Sequence, residues 1–217
     1  QFKDTLGLGI RLALALIIPA AVGMFVLSGP LIGLVFEHGA FTADNTAAMS
    51  VVLRLYLLGI PFAAIDLLLI FAFYAVKDTL TPALVGIFSL ACYIGIATAL
   101  YPRYGFLSLM IADSSKHLIH MTVSFVLLRR RLGSLGSQNL PRTLIKVTLA
   151  TVVMALVTYA VARSVPELWP IMGLTQRAIL VILPAALGAA TYFVLASLLR
   201  VSEFTGFVQA VGHKLHR

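Results

Sequence analysis

Apolar side chains fill this chain in long stretches, and short polar stretches punctuate them. A helix that crosses a bilayer needs about 20 largely apolar residues at ~1.5 Å rise each. Six stretches qualify: Leu6–Leu27, Ala47–Val76, Leu80–Leu100, Phe106–Leu128, Thr143–Ala162 and Arg177–Leu199. The pattern predicts an all-α fold, a polytopic transmembrane helical bundle of six spans. Between the second and third spans only Lys77-Asp78-Thr79 intervenes. Three residues suffice for a hairpin turn. Asp78 or Thr79 can N-cap the next helix, and Pro82 fits its first turn, where a missing N–H costs little.

The second span is long and holds Gly59-Ile60-Pro61. Pro61 removes a backbone hydrogen bond and crowds the preceding turn, which predicts a kink or a broken helix. Gly59 and Pro61 read either as a passive bend or as a hinge for alternating access. Residues 30–46, PLIGLVFEHGAFTADNT, are too polar and too short to span. Their apolar positions, Leu31 to Phe36, fit along a membrane interface, with Gly39 as the stop and Thr42 or Asp44 as the cap of the second span.

Composition agrees with this pattern. The chain is 60% hydrophobic and 11% charged, whereas soluble domains average roughly 25% charged residues. The net charge of +8 would suggest nucleic acid in a soluble protein. Here the cations cluster at the ends of apolar stretches, which points to orientation and anionic headgroups rather than nucleic acid. Eleven Lys and Arg fall on the side of the N-terminus, the Lys77 turn, the 129–142 linker and the tail, against three on the other side. The positive-inside rule then puts both ends in the cytoplasm. Trp169, Tyr101, Tyr104 and Tyr159 fall near the outer surface, as in an aromatic belt. Residues 201–217 space Phe204, Phe207, Val208, Val211 and Leu215 as an amphipathic cytoplasmic helix, with His213 and His216 in solvent. The lone Cys92 reads as a packing residue. The opening FKDTLGLGIRLAL is already membrane-directed and no signal peptide precedes it. The expectation is a C-terminal part of a longer protein.

Ionisable side chains inside a span cost about 2.5–3.5 kcal/mol each near the helix centre, so each needs a reason. The fourth span carries Asp113, Lys116, His117 and His120 at i, i+3, i+4 and i+7, on one helical face that Ser124 continues and Ser114 leaves. Asp113 can pair with Lys116 or His117. The stripe reads either as a neutralised interhelical network or as the lining of a cavity that meets an anionic substrate, with histidine adding proton sensitivity. In the second span, Arg54 and Asp66 are twelve residues apart, about 18 Å along a straight helix, too far to pair. Arg54 is near enough to the outer end to snorkel. Asp66 is deeper and calls for a partner or a cavity. There is no G-x-S-x-G, H-E-x-x-H or phosphate loop, and no metal cluster. Sparse charges in a deeply apolar chain are the pattern of a transporter, not of an enzyme.

Two motifs are more specific. Phe36, Gly39, Phe41 and Thr42 form an F-x-x-G-x-F-T element, and Phe73, Tyr74, Ala75, Asp78, Thr79, Thr81 and Pro82 form F-Y-A-x-x-D-T-x-T-P one span later. A basic stop, LLRRRLG at 127–133, follows the next pair of spans. Together they resemble the C-terminal half of the MurJ/MviN family, the lipid II flippases of bacterial cell-wall synthesis within the multidrug/oligosaccharidyl-lipid/polysaccharide exporter superfamily. The polar stripe is more charged than the family pattern at that place.

The resemblance implies spans nine to fourteen of a fourteen-span, two-lobed bundle. A central cationic cavity would take the pyrophosphate and sugar headgroup of the lipid-linked peptidoglycan precursor. Residues 1–142 would be a four-span part of the C-terminal lobe, and 143–200 two further spans that hold the lipid tail. It also implies alternating access in the bacterial inner membrane, no cofactor, and a drive from membrane potential or a monovalent ion. The partners would be the precursor, membrane lipids and the N-terminal lobe of the same protein. The family's essential arginines lie in earlier spans, so none transfers here. A related exporter of another lipid-linked sugar or drug, and a non-transporting membrane scaffold, are the competing readings.

Overall fold

The computed structural model describes residues 2–133, 140–168 and 173–199. Trp169, the 134–139 part of the linker and the tail with His213 and His216 lie outside them. Among the described residues there are eight helices: α1 (Phe2–Val26), α2 (Ser28–Phe36), α3 (Ala43–Leu57), α4 (Ile60–Ala75), α5 (Leu80–Tyr104), α6 (Leu107–Leu132), α7 (Leu140–Leu168) and α8 (Leu174–Leu198).

Among the described residues, five segments are long and apolar enough to cross a membrane: α1, the α3–α4 pair, α5, Leu140–Val165 of α7, and α8. Helix α6 has the length, 26 residues. Its Asp113, Lys116 and two histidines dilute its apolar character, so the expected sixth span rests there on length. The outward faces are strongly apolar, with Ile87 and Leu80 each 67% exposed. Such surface suits lipid and not water.

The second span is broken, as Pro61 requires. Helix α3 ends at Leu57 and α4 restarts at Ile60 with Pro61 in its first turn. At the break the Gly59 N–H turns to the Tyr56 carbonyl, three residues back, at 3.0 Å. That frees the carbonyl of Leu55, which would normally accept from residue 59. Ser114 of α6 fills the gap, its hydroxyl donating to Leu55 O at 2.7 Å. Gly59 makes the approach possible, since a Cβ there would stand 2.9 Å from Ser114 Cα.

The turn after α4 closes as a Schellman-type cap. Asp78 N–H donates to Phe73 O and Lys77 N–H to Tyr74 O, each at 3.0 Å. The left-handed position that glycine usually takes is held by Lys77, at φ 59. Of the two expected caps for α5, Asp78 serves: its carboxylate accepts the Thr81 N–H at 3.0 Å and the Thr81 hydroxyl at 2.6 Å. Thr79 stands at the N-cap position without a side-chain cap bond.

The chain divides into two compact units, and the division falls inside α1 and α3. Unit 1 holds Gln1–Ile17 and Val52–Leu140, and unit 2 holds Ile18–Val51 and Pro141–Arg217. The grouping does not run along the sequence as a 1–142 and 143–200 partition does. In unit 1, α6 packs on both α4 and α5, and Leu69, Phe73, Ala112 and Leu128 are fully buried there. In unit 2, α2 packs on α8, and Val147, Thr158 and Ala196 are buried. Gly188 of α8 sits so close to α7 that a Cβ would lie 2.1 Å from Thr158 Oγ1. Small residues at such crossings let helix backbones close up in a membrane.

Candidate functional site

Helix α6 gathers the polar side chains of unit 1. Its 3.6-residue repeat puts Asp113, Lys116, His117 and His120 on one face, as the spacing requires. Lys116 Nζ lies 2.6 Å from Asp113 Oδ1, and His117 Nε2 lies 3.8 Å from the other carboxylate oxygen. The ammonium also stands 5.8 Å from the centre of the Tyr93 ring of α5, a cation–π arrangement. These three α6 side chains are about a quarter exposed. They remain reachable.

One turn further on, the environment changes. His120 is 7% exposed, and so is Asp66, which meets it from α4. His120 Nδ1 contacts Asp66 Oδ1, and the Ser124 hydroxyl lies 3.4 Å from the same nitrogen. The Nε2 edge lies against Gly86 of α5, where a Cβ would be 3.7 Å away. Asp66 therefore has a partner, and the pair sits within the α4–α6 packing rather than open to a cavity. Arg54 lies exposed in the last turn of α3. Gly59 and Pro61 form the break that Ser114 braces.

The motif residues divide into two groups. In unit 1, Phe73 is fully buried, Tyr74 is exposed, and Asp78 with Thr81 forms a polar knot with Arg131 from the basic end of α6. Thr81 and the Arg131 guanidinium hold the Asp78 carboxyl below the usual carboxylate range. In unit 2, the Phe36 and Phe41 rings pack 6.0 Å apart around a turn in which Gly39 has φ +60. The Thr42 carbonyl accepts the Thr46 N–H at 3.0 Å, opening α3.

Sequence reasoning missed the strongest contact near that turn. Arg177 of α8 reaches Gly33 O at 3.3 Å, the Glu37 carbonyl, and the Glu37 carboxylate at 2.9 Å. Thr46 donates to the same carboxylate at 2.7 Å. The available signal was Glu37 itself, an acid inside an interfacial apolar segment.

Unit 2 also holds an apolar groove of about 360 Å³ between the second half of α1 and α7, lined by Ile18, Val22, Thr151, Val152, Leu156 and Tyr159 among others. Gly188 and Thr158 bring α7 and α8 together at one crossing, and this groove lies on the α1 side of α7. The Thr151 hydroxyl is buried in the lining without a hydrogen-bond partner. Among the described residues no three His, Cys, Asp or Glu side chains converge as a metal site.

Comparison with known proteins bears on this arrangement. The family model "Lipid II flippase MurJ" matches residues 1–180. A probable lipid II flippase MurJ of Vibrio cholerae is 30% identical over 92% of this chain and 38% of its own length. One from Bdellovibrio bacteriovorus is 28% identical over 69% of this chain and 29% of its own length. A solved lipid II flippase MurJ in an inward closed conformation superposes with a TM-score of 0.74 at 25% identity, covering 91% of this chain and 39% of that one. The chain thus spans between about 29% and 38% of the length of these relatives.

Proposed function

The chain belongs to the lipid II flippase MurJ family, and on that premise we propose that the intact protein carries a lipid-linked peptidoglycan precursor across the bacterial cytoplasmic membrane, from inner to outer leaflet, by alternating access. The observation that carries this reading is the family match over residues 1–180. The protein is a multi-pass membrane protein with several strongly apolar helices. Both ends of the chain lie in the cytoplasm on this reading, because the cations concentrate on that side.

The physics of the task fits these parts. A charged diphosphate cannot enter hydrocarbon unaided, because desolvating its charge is very costly. A carrier has to offer a polar path for the head and an apolar slot for the tail. It makes and breaks no covalent bond. Lys116, held by Asp113 and still reachable, is the cation of unit 1 best placed to meet an anionic head, with Arg54 as a second candidate. The α1–α7 groove is the slot for a lipid chain. The drive is the membrane potential or a monovalent ion.

Depletion of the resident flippase in a host bacterium tests the reading. Expression of the intact protein restores growth and cell shape on this account, and Lys116→Gln lowers that rescue. Failure to rescue despite confirmed membrane insertion overturns it.

A further inference from the structure

We propose that Arg177 and Glu37 form a latch that sets the spacing of the α1–α7 groove, which makes them positioning residues for the lipid chain. The inference rests on the reading of that groove as the slot for a lipid chain. The latch and both groove walls lie in unit 2.

One wall of the groove is α1, with Val22 and Val26, and the other is α7, with Thr151 and Leu156. Each wall is fastened to α8. Helix α7 meets α8 at the Thr158–Gly188 crossing, where a Cβ on Gly188 would not fit. Helix α1 reaches α8 through α2. Only Leu27 separates α1 from α2. Helical hydrogen bonds run through that joint, from Leu27 N–H to Gly23 O at 3.0 Å and from Leu31 N–H to Leu27 O at 2.8 Å. Leu27 and Ser28 are buried. Such a joint is stiff, so α2 carries the Val26 end of α1 with it.

Helix α2 packs on α8, and Arg177 supplies the polar fastening. Its guanidinium donates to Gly33 O, to the Glu37 carbonyl and to Glu37 Oε1. Thr46, in the first turn of α3, donates to Glu37 Oε2 at 2.7 Å. Glu37 is thus held from two sides.

These fastenings differ in how readily they open. The Leu27 joint is buried, and the Thr158–Gly188 crossing is close-packed. The Arg177 and Glu37 side chains are 37% and 25% exposed, so water can replace their bonds at small net cost. Opening there lets α2 swing from α8 and draws Val22 and Val26 away from α7. Beside the groove, Gly23 of α1 faces only the flexible end of Met154, where a Cβ would stand 3.8 Å from its Cε. That contact resists the movement weakly.

The test measures the walls without any lipid substrate. In the intact protein, with native cysteines replaced, nitroxide labels at Met24→Cys of α1 and Val153→Cys of α7 report their separation in lipid nanodiscs. Labels at Ile94→Cys of α5 and Leu118→Cys of α6 are the control in unit 1. All four positions are exposed. Arg177→Ala is expected to lengthen and broaden the α1–α7 distance and to leave the α5–α6 distance unchanged. Thr46→Val removes one partner of Glu37 and leaves Arg177 in place. It is expected to give a smaller shift in the same direction, and it keeps the test open where Arg177→Ala does not fold. An α1–α7 distance that neither variant changes, or a change shared equally by the control pair, overturns the proposal. A photoreactive polyprenyl phosphate separately tests the reading beneath it. Labelling of α1 and α7 is expected in the wild type and less of it in Arg177→Ala. A wild type unlabelled there overturns the lipid-slot reading, while the distances still judge the latch. Equal labelling of both proteins overturns the positioning role.

Discussion

Arg177 donates to both the backbone carbonyl and the carboxylate of Glu37, tying the first turn of α8 to the end of α2. The last carbonyls of a helix have no partner within it, and the guanidinium fork supplies one while matching the carboxylate. The contact is partly exposed, so screening reduces it. Arg177→Ala is expected to cost about 1–2 kcal/mol, less than the ~1.5–3 kcal/mol of a hydrogen bond to a charged group because the contact is partly exposed. Arg177→Lys should recover less than half, because an ammonium cannot span both acceptors. Thermal unfolding of the intact protein in detergent reads both.

Gly59→Ala sets a methyl group 2.9 Å from the Ser114 Cα. Backbone cannot swing aside as a side-chain end does, so α6 must shift. The expected loss is about 1–3 kcal/mol, the usual range for overpacking. Ser114→Ala, which leaves Leu55 O without its donor, should cost about 1 kcal/mol. Apparent melting temperatures rank the two, with Gly59→Ala the lower.

Lys77 occupies a left-handed backbone position at φ 59. A Cβ is penalised there by roughly 1 kcal/mol and glycine is not. Lys77→Gly should therefore raise the melting temperature, while Lys77→Ala should leave it nearly unchanged. A lower melting temperature in Lys77→Gly would show that the ammonium contributes more than the backbone loses.

How much of this was legible in the chain follows from the range of each signal. The helical repeat encodes contacts along one helix, so the Asp113–Lys116 pair could be read from spacing. The break at Pro61 and the Asp78 cap are also local and were legible. Asp66 and His120 are 54 residues apart and Arg177 and Glu37 are 140. Such pairs exist because α6 packs on α4 and α8 on α2, which no local pattern specifies. The same limit hid the groove, which arises from α1 and α7 rather than from neighbours in sequence.

Asp78 gives the account a pH dependence. Its carboxyl titrates lower in the folded protein than the ordinary value of 3.8, first because Thr81 hydrogen-bonds it and also because Arg131 lies beside it. A depressed acid stabilises the fold above its unfolded value and loses that contribution as pH falls through the folded one. The wild type should hold a constant advantage over Asp78→Asn above about pH 5, and that advantage should shrink toward pH 3. Melting temperatures of both proteins across that range check it. An advantage that grows on acidification would contradict the assignment.

The central claim is that the intact protein flips a lipid-linked cell-wall precursor. The most direct measurement is the amount of precursor exposed on the outer leaflet of cells depleted of their own flippase, before and after the intact protein is expressed. The account predicts that exposure returns with expression and falls again when Lys116 is replaced by Gln. Precursor that stays on the inner leaflet, with the protein confirmed in the membrane, would contradict it.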